Sequence, residues 1–248
     1  MSQRIAIVTG GIGGLGSAIC RKLAESGRTV VAADLGVRED RIAEFKGEMA
    51  DLGDRVRFEA LNVADERSCN DLVARVNAQY GRVDVLVNAA GITRDTTLRK
   101  MSTAQWQDLM RVNLDGVFYM SRAVVEGMCD RSFGRIVNIS SVNGQTGQFG
   151  QTNYSASKAG LHGFTMALAR EVARKGVTVN SVSPGYCRTA MVMAIPDNIR
   201  DQIGSQIPVG RIGEPSDIAR AVDFLAADDA GFITGVNLPV NGGLFISF

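Results

Sequence analysis

The stretch RIAIVTGGIGGLG, residues 4–16, decides the fold of this chain. Its first half is a run of apolar, mostly β-branched residues typical of a buried strand, and a segment of helical period, Leu15–Ser26, follows. Between the two, Gly10, Gly14 and Gly16 permit a tight turn, close approach of backbone to a pyrophosphate, and close packing of helix on strand. Free N–H groups at a helix N-terminus bind phosphate. The stretch therefore predicts a dinucleotide-binding turn.

Short apolar runs and longer helical segments alternate along the rest of the chain. The predicted strands are Arg4–Thr9, Thr29–Ala33, Val56–Ala60, Val83–Val87, Arg135–Ser140, Val177–Ser183 and Val236–Val240. The predicted helices are Leu15–Ser26, Glu39–Leu52, Glu66–Tyr80, Thr103–Arg131, Asn153–Lys175 and Pro215–Ala227. Strands that are apolar on both faces belong to a parallel sheet with helices on both sides, and their alternation with helices indicates βαβ units. We predict one α/β domain over residues 1–248, a doubly wound Rossmann fold with a parallel seven-stranded sheet.

One segment interrupts this alternation, between the sixth predicted strand and the last helix and strand. Residues 187–213 contain helical fragments, two prolines (Pro196 and Pro208) and several apolar residues. An insertion there would hang over the carboxyl edge of the sheet, where folds of this kind bind ligands. We predict a small lid over the binding site, with an ordinary surface loop as the alternative.

Composition and charge exclude several classes of protein. The net charge is +1 and the basic residues are scattered, so no nucleic-acid partner is predicted. No apolar stretch is long enough to cross a membrane, and the start of the chain lacks the apolar region of a secretory signal. The four cysteines are far apart, without the spacing of metal ligands, and predict reduced thiols and no metal site. We therefore expect a cytoplasmic protein without a membrane partner.

Asp34, at the end of the second predicted strand, bears on the choice of nicotinamide cofactor. It lies 18 residues beyond Gly16, where a carboxylate can accept hydrogen bonds from the adenosine ribose and repel a 2′-phosphate. Gly13 offers no basic side chain to such a phosphate, whereas Arg38 and Arg41 follow soon after. We predict that NADH/NAD is favoured and that NADPH/NADP is possible.

Tyr154 and Lys158 stand four residues apart in a predicted helix, which places them on one face. A nearby ammonium group lowers the pKa of a tyrosine toward neutral pH, so the pair predicts a proton donor for carbonyl reduction. Ser141 follows the fifth strand, 13 residues before Tyr154, and its hydroxyl is predicted to polarise the carbonyl. A surface tyrosine and a solvated lysine are the alternative for the pair taken alone.

Five motifs together resemble the short-chain dehydrogenase/reductase family, and the likeness covers essentially the whole chain. They are TGGIGGLG at 9–16, NAAG at 88–91, Ser141, YSASK at 154–158 and PGYCRT at 184–189. The resemblance implies that Tyr154 is the acid/base and that Ser141 orients the carbonyl. It also implies that Lys158 holds the nicotinamide ribose and lowers the pKa of the tyrosine, and that Asn113 shapes a water relay to the lysine.

The resemblance further implies the contacts to the cofactor and a homotetramer. The implied cofactor residues are Gly10, Gly13, Gly14, Leu15, Gly16, Asp34, Asn62, Val63, Asn88, Ala89, Gly91, Tyr154, Lys158, Pro184, Gly185 and Thr189. Asn62 stands where the family more usually has aspartate, and either side chain can hydrogen-bond the adenine. The segment Leu244–Phe248 is too apolar for a solvated tail and predicts a subunit contact.

Residues 135–201 resemble the acetoacetyl-CoA reductases of polyhydroxybutyrate synthesis, and residues 91–101 resemble both those enzymes and the 3-oxoacyl-[acyl carrier protein] reductases. The substrate residues implied are Asp95, Gln148, Phe149, Gln151 and Tyr186. A phenyl wall and amide side chains suit a short β-ketoacyl thioester with two carbonyls. We therefore predict NADH-preferring reduction of acetoacetyl-CoA to (R)-3-hydroxybutyryl-CoA, with the stereochemistry implied by the resemblance.

Three other functions stay open from the sequence. The nearest is the acyl-carrier-protein-linked reductase of fatty acid synthesis, and another is a dehydrogenase working toward the ketone, which Asp34 and NAD would suit. A non-catalytic regulator that senses a dinucleotide needs no proton donor, so the intact set of Ser141, Tyr154 and Lys158 disfavours it. His162, the only histidine, is predicted to pack or to lie at the surface without a catalytic role.

Overall fold

In the computed structural model, which describes residues 3–246, seven parallel strands form one sheet. The strands are β1 (Ile5–Thr9), β2 (Thr29–Asp34), β3 (Val56–Ala60), β4 (Val85–Asn88), β5 (Gly134–Ile139), β6 (Val177–Pro184) and β7 (Asn237–Val240). Their order across the sheet is β3-β2-β1-β4-β5-β6-β7, so the chain winds one way from β1 and the other way from β4. The predicted doubly wound, parallel, seven-stranded sheet is confirmed.

Helices cover both faces of this sheet. They are α1 (Gly14–Glu25), α2 (Glu39–Glu48), α3 (Glu66–Tyr80), α4 (Thr103–Met110), α5 (Gly116–Asp130), α6 (Asn143–Thr146), α7 (Thr152–Val172), α8 (Ala190–Met193), α9 (Asp197–Gln206) and α10 (Pro215–Leu225). Side chains alternate between the two faces of a strand. In β1, Ala6 and Val8 pack into the apolar cluster that contains residues of α1 and α10, whereas Ile5 and Ile7 pack into the one that contains residues of α3, α5 and α7. Burial on both faces explains why the strands are continuous apolar runs.

The register of the sheet aligns the carboxyl ends of its central strands. Thr9 of β1 pairs with Asn88 of β4, and Asn88 pairs with Asn138 of β5. The segments that follow these residues therefore leave the sheet side by side, close to the point where the strand order reverses. Ligands of doubly wound sheets bind at this edge.

The segment 187–213, predicted as a lid, leaves the sheet after β6 and contains α8 and α9. Its two ends meet in a parallel β-bridge between Cys187 and Gly213. The N–H of Arg188 donates to the carbonyl of Gly213 (2.9 Å), and the N–H of Gly213 donates to the carbonyl of Tyr186 (2.9 Å). Backbone hydrogen bonds thus hold the two ends of the segment together. Its movement as a lid stays a prediction.

The predicted helix Thr103–Arg131 is confirmed from Thr103 to Asp130, although it is not α-helical throughout. It is divided into α4 and α5 by a π-helical turn, Arg111–Asp115. Such turns change the facing of the side chains that follow and are frequent at functional sites. Here the turn carries the predicted site residue Asn113, which is fully buried.

Residues 3–246 bear on the predictions about a membrane and a metal. None of the helices described there is long and apolar enough to span a membrane. In the same part of the chain, no cluster of three or more histidine, cysteine, aspartate or glutamate side chains could hold a metal ion. The four cysteines are free thiols. The predicted subunit contact Leu244–Phe248 lies partly outside the described residues, which end at Ile246.

Candidate active site

A cleft runs along the carboxyl edge of the sheet and consists of two neighbouring cavities. The first, of about 390 Å³, lies beside β5, β6 and the start of α7. The second, of about 420 Å³, lies over the glycine-rich turn and the end of β2. The residues that line both cavities are Leu15, Ala89, Gly91, Ile92, Tyr154 and Thr189. Tyr154 therefore stands where the two cavities meet.

The glycine-rich turn has room for main chain only, as a pyrophosphate cradle requires. Gly10 has a left-handed φ of +65°, and a Cβ there would lie 2.8 Å from the Cα of Ala90. A Cβ on Gly16 would overlap the carbonyl oxygen of Gly10. Gly13 is the N-cap of α1 and lines the second cavity with the first residues of the helix, so the free N–H groups begin at that cavity. These residues fit a bound dinucleotide phosphate.

Thr9 holds the loop after β4 against this turn. Its hydroxyl accepts hydrogen bonds from the N–H groups of Ala89 (3.1 Å) and Ala90 (3.2 Å). Asn88 differs from the prediction, since it lines neither cavity and is buried beneath them. Its side-chain amide donates to Asn138 Oδ1 at 2.9 Å, in the interior of the sheet. Asn88 thus supports the loop that faces the cofactor instead of contacting a ligand.

The end of β2 presents one acidic and one basic side chain to the second cavity. Asp34 accepts a hydrogen bond from the N–H of Leu35 (2.8 Å), and Arg38 lies 3.9 Å from its Oδ1. Both Asp34 and Arg38 line the cavity. Arg41 is engaged elsewhere, because its guanidinium donates to the carbonyl of Ile12 (2.7 Å) and pairs with Glu48 (2.7 Å). Arg38 is therefore better placed than Arg41 to bind the 2′-phosphate that distinguishes NADPH from NADH.

The remaining predicted cofactor residues divide between the two cavities. Asn62 and Val63 line the second cavity. Asn62 uses its side-chain oxygen to accept a hydrogen bond from the N–H of Ala64 (3.1 Å), which closes the turn after β3. Pro184 and Gly185 line the first cavity at the end of β6. All the predicted cofactor residues other than Asn88 thus face the cleft.

Ser141, Tyr154 and Lys158 meet in the first cavity, as the sequence predicts. Ser141 follows β5 and hydrogen-bonds the phenol of Tyr154. Lys158 is one helical turn beyond the tyrosine, with its Nζ 5.7 Å from the centre of the phenol ring. That Nζ donates to the carbonyl of Ile139 at 2.8 Å, so the ammonium is anchored to the end of β5.

The pKa values at this site follow from burial. Burial raises the pKa of Tyr154, the hydrogen bond with Ser141 opposes that rise, and the charge of Asp95 adds to it. Burial also lowers the pKa of Lys158 to about 8. The lowered tyrosine pKa that the Tyr154–Lys158 spacing predicts is wrong for this structure, because burial raises the pKa of Tyr154. The phenol is consequently held in its protonated form at neutral pH.

Asn113 holds the chain beside the predicted catalytic residues by hydrogen bonds. Its Oδ1 accepts the N–H of Ile92 (2.8 Å), and its Nδ2 donates to the carbonyl of the same residue (3.0 Å). A second, longer bond runs from Nδ2 to Ser157 Oγ (3.4 Å). A Cβ on Gly91 would lie 3.5 Å from Asn113 Oδ1 and 3.6 Å from Lys158 Nζ. The glycine therefore borders both the amide and the ammonium.

Three of the five predicted substrate residues line the first cavity: Asp95, Gln151 and Tyr186. A chain of hydrogen bonds connects two of them, with Gln151 Nε2 donating to Asp95 Oδ2 (2.8 Å) and Asn143 Nδ2 donating to Gln151 Oε1 (2.9 Å). Asn143 also donates its backbone N–H to Ser141 Oγ (3.2 Å). The sequence interpretation missed Asn143, although its place two residues after Ser141 in the same loop was a signal.

The other two predicted substrate residues, Gln148 and Phe149, do not line the cavity. Phe149 is 89% exposed. Both residues occupy a turn between Gly147 and Gly150, which have left-handed φ values of +73° and +77°. This glycine-framed turn leaves both residues exposed and outside the lining of the cavity, which the motif likeness could not indicate.

Comparison with known proteins agrees with this geometry. Residues 4–200 match the family model described as short chain dehydrogenase. The chain belongs to the short-chain dehydrogenase family. Membership makes it an NAD(P)-dependent oxidoreductase.

Several relatives of this short-chain dehydrogenase match nearly its full length. It is 54% identical to an acetoacetyl-CoA reductase of Allochromatium vinosum, over 98% of this chain and 99% of that protein. It is 50% identical to nodulation protein G of Azospirillum brasilense, over 98% of this chain and 99% of that protein. It is 46% identical to a 3-oxoacyl-[acyl-carrier-protein] reductase of Haemophilus influenzae, over 100% of both.

The buried lysine predicts an alkaline limit to the reaction. Because the pKa of Lys158 is lowered to about 8, its ammonium is present below that pH and is lost as the pH rises through it. We expect kcat for oxidation of the reduced nicotinamide to be level at neutral pH and to fall above about 8. The measurement is a pH–rate profile at saturating substrate. Lys158→Arg keeps the positive charge at all these pH values. A fall at the same pH in this variant would assign the limit to another group.

Proposed function

We propose that this enzyme reduces acetoacetyl-CoA to (R)-3-hydroxybutyryl-CoA and prefers NADH as the hydride donor. The observation that carries the proposal is the hydrogen-bonded pair of Ser141 and Tyr154 at the junction of the two cavities. A ketone there would lie between a proton donor and the cavity that fits the dinucleotide. The acetoacetyl-CoA reductases among the relatives support this substrate.

The chain's own residues account for the proton side of the reaction. A bound reduced nicotinamide supplies the hydride that reaches the carbonyl carbon. Ser141 donates a hydrogen bond to the ketone oxygen and polarises the C=O bond. Tyr154 donates its phenolic proton to that oxygen as negative charge develops on it. A phenol whose pKa is raised by burial is fully protonated before the step, which suits reduction of a ketone.

Lys158 and Asn113 would serve the return of the proton. The buried ammonium lies close to the phenol ring, where its charge stabilises the phenolate that the transfer leaves behind. Asn113 holds the backbone of Ile92 by two hydrogen bonds and keeps the loop after β4 beside the lysine. We retain for this asparagine the role that the family resemblance implies, the shaping of a water relay that ends at Lys158.

The lining of the first cavity suits a short acyl chain with two carbonyl groups. Polar groups of Asp95, Gln151 and Tyr186 converge on it, and apolar side chains complete the wall, namely Val142, Val192 and Ile195. The negatively charged phosphates of the dinucleotide would bind in the other cavity. We propose that Gln148 and Phe149, which are outside this lining, contact the thioester portion of the substrate at the mouth of the cleft.

The alternatives to this function are a reductase of acyl-carrier-protein substrates and a non-catalytic regulator. Reduction of a 3-oxoacyl group carried on acyl carrier protein is the second candidate, because a reductase of that kind is 46% identical over the whole chain. A regulator that binds a dinucleotide without turnover is disfavoured, since the buried Lys158 and the Ser141–Tyr154 pair have no role in it.

Removal of the proton donor tests the reaction type. Tyr154→Phe is expected to lower kcat by on the order of 10²–10⁴, because the general acid is lost while the ring remains. The affinity for NADH, measured by titration of its fluorescence, should change little. Tyr80→Phe, at the far end of α3, is the matched control and should retain activity. Near-normal turnover by Tyr154→Phe would show that another group donates the proton.

The carboxylate at the end of β2 tests the cofactor preference. The wild type is expected to have a higher kcat/KM with NADH than with NADPH. Asp34→Asn should lower the NADH-to-NADPH ratio by about tenfold or more, because a charge-assisted hydrogen bond to ribose contributes roughly 1.5–3 kcal/mol. Arg38→Gln is the companion variant and should reduce use of NADPH alone. A wild-type ratio in favour of NADPH would mean that Arg38 captures the 2′-phosphate.

The carrier of the acyl group decides between the two reductases. Initial rates with acetoacetyl-CoA, acetoacetyl-[acyl carrier protein] and an eight-carbon 3-oxoacyl-CoA form the comparison. We expect the highest kcat/KM with acetoacetyl-CoA, and a loss with the longer chain because overfilling a packed pocket costs roughly 1–3 kcal/mol. If the carrier-protein substrate is better by about tenfold or more, the enzyme belongs to fatty acid synthesis instead.

A further inference from the structure

His162 is the only histidine of the chain and lies on α7, one helical turn beyond Lys158. The sequence predicts a packing or surface residue, and the structure places its ring in a hydrogen-bonded junction. Nε2 lies 2.8 Å from Ser140 Oγ and 3.3 Å from Ser183 Oγ. Ser140 immediately precedes Ser141, and Ser183 lies near the end of β6.

The partners of these two serines identify the donor in each contact. Ser140 Oγ donates to the carbonyl of Lys158 (2.9 Å), and Ser183 Oγ donates to Asn237 Oδ1 (2.8 Å). A hydroxyl has one proton to give, and carbonyl oxygens can only accept. Both serine oxygens are therefore left as acceptors toward His162, and its Nε2 carries the proton. Burial and the charge of Lys158 lower the pKa of His162, so the ring is neutral at pH 7.

Each element that meets at this ring supplies part of the active site. Helix α7 carries Tyr154 and Lys158, and the end of β5 leads into Ser141 and provides the carbonyl that anchors Lys158. The end of β6 leads to Pro184 and Gly185, which line the first cavity. The ring itself lines neither cavity, so it acts on the reaction through its neighbours.

We propose that His162 is a positioning residue, whose Nε2–H holds the ends of β5 and β6 against α7 and so keeps Ser141 at the phenol of Tyr154. The inference rests on the proposed Ser141–Tyr154 chemistry and not on the identity of the acyl carrier. Small displacements of catalytic groups are costly, since a shift of about 1 Å can lower a rate on the order of 10²-fold.

Two amide variants of His162 test whether the position of its hydrogen-bond donor matters, or only the presence of a polar side chain. The side-chain nitrogen of glutamine reaches the place of the histidine Nε2, whereas the shorter asparagine reaches only the place of Nδ1. We expect His162→Gln to keep kcat within about threefold, and His162→Asn and His162→Leu to lower it by about 10-fold to 100-fold with the KM for NADH little changed. Equal kcat values for the glutamine and asparagine variants would overturn the proposal.

A control variant on α7 separates an effect on stability from an effect on kcat. Thr165 accepts a hydrogen bond from Asn138 Nδ2 (2.9 Å) and is buried, so Thr165→Val removes one buried hydrogen bond from α7 deeper in the sheet. We expect it to lower Tm and to leave kcat near the wild-type value.

Ser183→Ala removes one acceptor of the histidine proton with less risk to folding and should lower kcat in part. A kcat that follows Tm across all these variants would reduce His162 to a structural role.

The single histidine also permits a test that needs no turnover. In a ¹⁵N–¹H spectrum of protein labelled in histidine, the proposal predicts one imidazole with its proton on Nε2, and a change of its shift in Ser183→Ala. A proton on Nδ1 would overturn the assignment of donors. If the wild type does not reduce acetoacetyl-CoA, the spectrum still tests the junction, and the kcat series is read with the carbonyl substrate that it does reduce. The two failures are therefore distinguishable.

Discussion

The site depends on the alignment of strand ends at the carboxyl edge of the sheet. Thr9, Asn88 and Asn138 stand side by side across β1, β4 and β5, and their side chains are hydrogen-bonded in the interior or to the adjoining loop. A shift of one residue in any of these strands would turn its polar end residue to the opposite face. The glycine-rich turn, the loop after β4 and Ser141 would then no longer border one cleft. The chemistry of this enzyme thus depends on the register of the parallel strands. The hydrogen bonds of these side chains are consistent with that register.

Much of this architecture could be predicted from the sequence because its signals are local or periodic. Continuous apolar runs identify strands that are buried on both faces, and the alternation of strands and helices leads to the doubly wound sheet. The glycine pattern and the four-residue spacing of Tyr154 and Lys158 are likewise readable, since each reflects contact between near neighbours in the chain. The two cavities together are therefore lined by all of the predicted cofactor residues except Asn88.

The features that the sequence did not reveal depend on three-dimensional surroundings. The π-helical turn at Asn113 interrupts a segment whose composition favours one helix. The exposure of Phe149 depends on two glycines in left-handed conformation, and the raised pKa of Tyr154 depends on how deeply the phenol is buried. His162 belongs to this group as well. Its partners are Ser140, which directly follows β5, and Ser183 of β6, and no pattern within α7 points to either of them.

The bridge between Cys187 and Gly213 has a consequence for how such an enzyme diverges. Because backbone hydrogen bonds close the base of the intervening segment, its two ends are held together, and Val209 within it also donates its N–H to the carbonyl of Gly242. Substitutions of Val192 and Ile195 can therefore alter the wall of the first cavity while the base of the segment keeps its place. A change of substrate preference can arise in evolution at these two positions, which are separate from the buried Ile207 and Ile212 of the same segment.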